Sequence, residues 1–510
     1  VLPRIKNLSQ IPSPYTAGLL DEFFDGKLIP MLETTRGCPF TCSYCNSANN
    51  FYSKVEFFPA EYVVEEINYI AKRMKPLGMT SVMFADTNFG MYERDKEIAV
   101  ALKNAQTRYG WPMNIQATTG KNKVDKIIDV LSILGNSLSI CMSAQSMSGP
   151  TLKAINRDNI SLGMYSDLSS SLAEKGMSQM AELIVPLPEE TYDSFMDGIK
   201  RLIELNAKRI IIHTLQINNG TTFKNDDFKK KFAYTGKFRL IPYDFGTYEG
   251  ERIFDYEEVG TSNSTLNFDE YCKIRKFSLV MELLINNEIL EEMFIFLKEK
   301  GISKFNFLKY VMDNLDDGDK GVRSVFESFI SDITAELIVT EDRLVDFYSK
   351  DENYERIKSG ELGGNVIFKH KAMMLGKHIK DWVEYVFDCA GKILADGKID
   401  NALSVEIEDI KSFIFGKLGG LFDLEYGSND IILLFHHDIL KWLDKKQKSA
   451  LCDFRVSGEG RRLRFYFDER QKNERLDLFL RYGSDISGIA KLLARIHALE
   501  RLYRKANGPA

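Results

Sequence analysis

Residues 33–46 read ETTRGCPFTCSYCN, and three cysteines within them, Cys38, Cys42 and Cys45, stand in a C-x3-C-x2-C spacing. The apolar run Leu28 to Leu32 leads in and polar residues follow, the pattern of a strand running into a loop. A loop can fold back until three thiolates face one point. A strand or a regular helix cannot easily do so with this spacing. The next cysteine is Cys141, and the first histidine is His213.

Three thiolates are one short of the usual ligand sets. A structural zinc site closes on four ligands, and an ordinary iron–sulfur cluster takes four cysteines. A cubane held by three leaves one iron without a protein ligand, and an open position is what catalytic metal sites keep. Three incidental buried cysteines, or a zinc knuckle borrowing a distant ligand, are the competing readings. Spaced cysteines in a reducing compartment are more often metal-binding or catalytic.

With Tyr44 before the last cysteine, the loop resembles that of the radical S-adenosylmethionine (SAM) superfamily. The resemblance implies a [4Fe–4S] cluster on Cys38, Cys42 and Cys45, with SAM bound at the open iron through its amino and carboxylate groups. An electron from the cluster then cleaves SAM to methionine and a 5′-deoxyadenosyl radical. The electron comes from an external one-electron reductant of flavodoxin- or ferredoxin-like kind. The cofactors carry that chemistry, and the protein supplies orientation, shielding and tuning.

Residues 1–28 carry IPSPY and LDEFFD just before the cysteine strand. They resemble the linker that precedes the core in cobalamin-dependent radical SAM enzymes. That branch implies a methyltransferase acting on an unactivated carbon, with methylcobalamin as methyl donor. No D-x-H-x-x-G lower-ligand motif occurs in these residues, so cobalamin rests on the resemblance alone. The chain opens on Val1 rather than methionine, as a fragment or processed product would. Two other functions remain open. One is a cobalamin-independent radical SAM enzyme performing rearrangement, dehydrogenation or sulfur insertion. The other is a non-catalytic iron–sulfur electron-transfer or sensor protein.

The chain has 510 residues, too many for one ordinary core, so two or three domains are expected. Hydrophobic residues are 44% and charged residues 27%, as in soluble globular proteins. A net charge of −6 argues against a general nucleic-acid or membrane-surface binder. No apolar run is long enough to span a bilayer. Seven cysteines without an even framework fit a reducing cytoplasm rather than a disulfide scaffold.

After the cysteine loop, helical and strand periodicities alternate. Helices are expected from Pro59 through Met74, around Ile98 to Leu102, over Val124 to Leu134, over Ile160 to Lys175 with Gly176 as cap, and over Tyr192 to Leu205. Strands are expected at Ser81 to Ala85, Met113 to Ala117, Leu138 to Met142, Gln179 to Val185 and Arg209 to Gln216. Six βα units with short loops mean an α/β fold with a parallel sheet. Spacing alone does not separate an open doubly wound sheet from a partial barrel. The resemblance implies a partial (βα)6, TIM-like barrel, the radical SAM core, over residues 29–228. Residues 229–510 read as a mainly helical α+β region, opening on a polar linker at Asp226 to Lys231 and a loop-like aromatic stretch at Phe238 to Asn263. A long helix is expected over Phe268 to Leu297, and a helical break at Gly360 to Gly364.

In parallel α/β folds ligands bind at the carboxyl ends of strands. There the resemblance makes Asp86, Thr87 and Asn88 candidate SAM ligands together with Tyr44, a carboxylate being able to pair with the SAM ammonium. FADTNFG stands where many relatives have Gly-Gly-Glu, and a turn stabilised by Asp and Asn side chains is the competing reading. Ser143 and Gln145 end the fourth strand and Glu182 lies on the fifth; polar groups on apolar strands are costly unless paired. They could meet the ribose hydroxyls or the methionine carboxylate, or one another between strands. Gln216 is a candidate adenine contact. Pro186 and Glu189 replace glycines of a family GLPGET turn, and Arg157 matches its R-x-N turn. Arg36 could offset cluster or carboxylate charge, and Tyr243, Tyr248 and Glu249 lie where a substrate lid would be. His436 and His437 project to opposite faces of a strand and read as structural. The basic residues Arg461, Arg462 and Arg464 read as a solvated strand edge.

Overall fold

The computed structural model describes residues 4–49, 51–120, 122–138, 140–159, 163–167, 169, 179–395, 400–423, 429–444, 449–496 and 499–508. The chain forms two units, Val1–Gly236 with Glu258–Phe268, and Lys237–Glu257 with Asp269–Ala510.

In the first unit six parallel strands follow one another in chain order. β1 (Met31–Leu32) pairs with β2 (Ser81–Phe84), and β2 with β3 (Asn114–Gln116). A parallel bridge from Ile115 to Leu138 continues the order. β4 (Ile140–Gln145) then pairs with β5 (Gln179–Val185), and β5 with β6 (Arg209–Thr214). Between them run α1 (Ala60–Leu77), α2 (Asp95–Tyr109), α3 (Val124–Leu134), α4 (Gly149–Ala154) and α5 (Tyr192–Glu204). Helical crossovers are what let successive strands run parallel. The expected helix over 160–175 and its cap at 176 fall mostly outside the described residues.

The spacing of apolar residues explains the packing. Val63, Ile67, Ile70, Ala71 and Met74 recur on one face of α1 and are at most 1% exposed. They share a core with Val82 and Phe84 of β2, Ile115 of β3, Ile98 and Leu102 of α2, and Ile127 and Leu131 of α3. Each fully buried aliphatic side chain contributes about 1.5–3 kcal/mol. The N-terminal connector joins the same core through Leu8 and Tyr15. The Tyr15 hydroxyl donates to the Met31 carbonyl and accepts from its amide, fixing the entry to β1.

Two stretches differ from expectation. Residues Asp226–Lys231 are a helix, α6, with Asn225 as its cap, and not a solvated linker. Lys229 of α6 and the preceding Lys224 both pair with Glu258, at 2.5 and 2.7 Å. Residues expected to be loop-like form a hairpin of β7 (Thr235–Tyr248) and β8 (Glu251–Ser262). Its turn places Glu249 and Gly250 at φ 50° and 89°, the positive pair that matches a two-residue hairpin and that glycine adopts without strain. The side chains of both strands are mostly half-buried or exposed, so neither face shows the clean alternation by which strands are read.

The second unit is mainly helical. The expected long helix from Phe268 is two helices, α7 (Phe268–Leu284) and α8 (Glu291–Glu299), broken where Asn287 takes φ 68°. The expected break at Gly360 separates a helix ending at Lys358 from one beginning at Val366. A three-stranded antiparallel sheet of Ile431–Phe435, Arg461–Tyr466 and Lys505–Asn507 completes it. Arg461, Arg462 and Arg464 therefore sit on the middle strand of that sheet, not on an edge.

Candidate functional site

The cysteine loop is closed at its base by a two-residue antiparallel ladder, Thr35–Arg36 with Glu56–Phe57. Gly37 follows at φ 107°, and a Cβ there would collide with the Lys54 carbonyl and stand 2.7 Å from that of Tyr52. Only glycine fits so close a backbone approach. The Cys38 amide donates to the Tyr52 carbonyl at 2.9 Å, the Cys45 amide to Cys42 at 3.0 Å, and the Ser43 amide to Ile155 at 2.9 Å. Cys38 and Cys42 are buried, Cys45 is half-buried, and all three are free thiols.

The end of β2 grips this loop. Asp86 Oδ1 accepts from the amides of Thr34 and Thr35 at 2.8 and 2.6 Å, and Oδ2 from the Thr34 hydroxyl at 2.7 Å. The carboxyl is 2% exposed, and burial pushes its pKa up to about 6 against the pull of those bonds. The Asp86 side chain therefore anchors the loop through Thr34 and Thr35. The Thr87 hydroxyl donates to the Gly37 carbonyl at 3.1 Å. Asn88 Nδ2 lies 3.3 Å from Cys38 Sγ and 3.0 Å from Thr87 Oγ1, while its Oδ1 is buried without a partner.

The turn that follows α4 grips the loop from the other side. Arg157 is 5% exposed; its Nη1 donates to the Tyr44 hydroxyl at 2.9 Å and lies 3.8 Å from Cys42 Sγ. Its Nη2 reaches the Ser143 carbonyl and its Nε donates to Asn159 Oδ1 at 2.8 Å. Asn159 in turn donates to the carbonyls of Ala144 and Ser146. Arg157 is thus buried and multiply bonded, where a surface ion pair was the competing reading. Burial holds the Tyr44 phenol above its ordinary pKa, with Arg157 opposing.

Gln145 closes β4 at φ 66°, beside a register irregularity between Met142 and Gln145. It is 8% exposed and its Oε1 has no partner. A non-glycine residue at positive φ with a buried orphan acceptor is strain of the kind that collects at functional sites. The Ser143 hydroxyl donates to Glu182 Oε2 at 2.6 Å, and His213 Nε2 lies 3.5 Å from Glu182 Oε1. A polar row thus crosses β4, β5 and β6, so the inter-strand pairing weighed from the sequence is present. Gln216 is exposed and forms an antiparallel bridge with Val259. Glu189, at a family glycine position, has φ 62°. Its neighbour Glu190 is buried, accepts from the Ser146 and Ser194 hydroxyls, and is held above its ordinary pKa by burial.

Other residues singled out from the sequence have the following surroundings. Arg36 pairs with Glu33 and stacks over Phe58 at 5.4 Å, so its charge is met by a carboxylate. Tyr243, Tyr248 and Glu249 belong to the second unit. His437 is buried with Nδ1 2.8 Å from Asp409, as a structural histidine, and His436 is exposed. Thr34, Thr35, Asn159 and His213 are site-lining residues that sequence reasoning passed over. Asn159 alone had a signal, as the last member of R-x-N.

Three soft sulfur donors within eight residues, two of them facing N–H donors and none in a disulfide, fit in kind an iron–sulfur group. The sulfurs share one loop but are not drawn into one ligand set. Among the described residues no three His, Cys, Asp or Glu side chains are grouped to hold a metal.

Residues 32–202 match the family model described as the radical SAM superfamily. A cobalamin-dependent radical SAM methyltransferase, TokK of Streptomyces tokunonensis, is 32% identical over 210 residues, 39% of this chain and 30% of that protein. A 2-(S-pantetheinyl)-carbapenam-3-carboxylate methyltransferase of Streptantibioticus cattleyicolor matches with the same identity and the same coverage of each chain. The chain therefore spans under a third of the length of these two curated relatives. The solved structure of the cobalamin-dependent SAM radical enzyme OxsB with aqua-cobalamin and SAM covers 81% of this chain and 62% of its own, at 10% identity and a TM-score of 0.42. No helix among the described residues is long and apolar enough to cross a membrane.

Proposed function

With residues 32–202 a radical SAM domain, we propose that this chain is the catalytic core of an enzyme that cleaves SAM reductively and methylates an unactivated carbon. The reading is carried by one observation: the matched segment contains the three cysteines in a loop clamped by the end of β2 and by Arg157 in the turn after α4. Cys38, Cys42 and Cys45 would hold the [4Fe–4S] cluster, which when bound supplies the electron that breaks SAM to methionine and a 5′-deoxyadenosyl radical. Cobalamin, in the whole protein, would supply the methyl group. We take the six parallel strands as a partial (βα)6 barrel, and the setting as a reducing cytoplasm with a flavodoxin- or ferredoxin-like reductant.

The chain's own residues then have distinct tasks. Asp86, Thr87 and Arg157 hold the loop's backbone and Tyr44. Asn88 Oδ1 and Gln145 Oε1 are buried acceptors without partners, suited to a ligand ammonium and to ribose hydroxyls. Ser143 on β4 and Glu182 on β5, joined by a hydrogen bond, and Gln216 just past β6 are the further candidate SAM contacts. Asn88 and its neighbour Phe89, which packs on Phe84, are both buried.

Reconstituted without oxygen, the protein should bind about four irons per chain and form 5′-deoxyadenosine from SAM when a reductant is added. Cys42→Ala should abolish that product; unchanged 5′-deoxyadenosine would overturn the reading. SAM should also perturb the EPR signal of the reduced protein, which a plain electron carrier would not show. Methyl transfer that persists without cobalamin would replace the cobalamin-dependent branch with an independent one.

A further inference from the structure

Asn88 faces Cys38 with its amide nitrogen, and the network around it fixes that orientation. The Thr87 hydroxyl has one hydrogen, which goes to the Gly37 carbonyl at 3.1 Å. Towards Asn88 that hydroxyl therefore presents a lone pair, so the atom 3.0 Å away must be a donor, Nδ2. The second hydrogen of the same amide lies against Cys38 Sγ at 3.3 Å. Asn88 is 2% exposed, and Phe89, 1% exposed, packs on Phe84 with ring centroids 4.8 Å apart. The contact lies in a dry, low-dielectric setting, where a hydrogen bond to charge is strongest.

We propose that Asn88, oriented by Thr87, is a positioning residue that raises the reduction potential of the cluster bound through Cys38 by donating an N–H to that sulfur. The inference rests on the cluster assignment above. Its physical basis is charge. One-electron reduction adds negative charge that the ligand sulfurs share, and a donor aimed at one of them favours the reduced form. Hydrogen bonds to sulfur are among the means by which proteins set these potentials. Removing the donor makes the same electron harder to add.

The test is a reductive titration of the reconstituted protein, with the reduced fraction read by EPR and the iron content measured beside it. Asn88→Leu keeps the shape and removes the donor. It should lower the reduced-to-oxidised ratio at a fixed applied potential about tenfold, which is ~59 mV for one electron. Asn88→Asp, which turns an oxygen to the sulfur, should lower it further. Thr87→Val should shift the ratio in the same direction, and Thr87→Ser should restore it. A purely structural role would leave the potential unmoved. Variants with wild-type iron and an unchanged midpoint would overturn the inference while leaving the cluster assignment standing. If the Asn88 variants lose iron, the Thr87→Val and Thr87→Ser pair decides. Wild-type protein that binds no iron would remove both readings together.

Discussion

Asp86 sits where a strand-end carboxylate reads as a ligand for an ammonium, yet its three acceptor contacts all go to Thr34 and Thr35. Which atoms a side chain meets is set by the loop that returns over it, and local sequence does not contain that return. The cysteines and the R-x-N turn were legible because their spacing is itself the signal; Thr34 and Thr35 carry none. Asp86→Ala should leave two buried amides unmatched and destabilise the first unit by about 2–5 kcal/mol, while Asp86→Asn keeps an acceptor and costs much less. The acid also gives a pH dependence. Asp86 and the buried Asp95 hold their protons up to about pH 6, against 3.8 for a free carboxyl, burial being the main cause. Between about pH 4 and 6 the native state therefore binds more protons than the unfolded one, and these two groups' contribution to stability falls as pH rises. The melting midpoint of the wild type, taken relative to that of Asp86→Asn at the same pH, should fall as pH rises across that window.

At the level of the element, the strands and helices of the first unit were readable because each is a short apolar run or a clean 3.6-residue repeat. α3 is found over the same residues, Val124–Leu134, that its apolar spacing marks. The hairpin was not readable, since its strands are half-exposed on both sides and contain Pro242. Nor was the break at Asn287, where a left-handed residue interrupts an apolar helical pattern without glycine or proline as a warning. Glu189 belongs to the same class. It is exposed at φ 62°, a conformation that costs a side chain about 1–2 kcal/mol and glycine little. Glu189→Gly should leave stability unchanged or raise it by up to about 1 kcal/mol. Glu189→Val should lower it by about 1–2 kcal/mol. Denaturant midpoints of the two variants, compared with wild type, check the sign.

Over the whole molecule, the first unit ends at Gly236 and then reclaims Glu258–Phe268 from beyond the hairpin. Val259, Thr261 and Leu266 of that segment are at most 1% exposed, and Glu258 receives two lysines of the first unit. A composition shift near residue 229 marks a change of character, but a sequence read in order does not show a chain that leaves a unit and comes back. A chain ending at residue 236 should therefore fail to give a cooperative melting transition, whereas one ending at 268 should give one; equal behaviour of the two would refute the division. The same threading bears on how such a gene can be reshuffled. The backbone crosses between the units three times, so no single recombination breakpoint cuts out either one as an intact cassette. Exchange of one half between related genes would have to carry the hairpin's codons along with it.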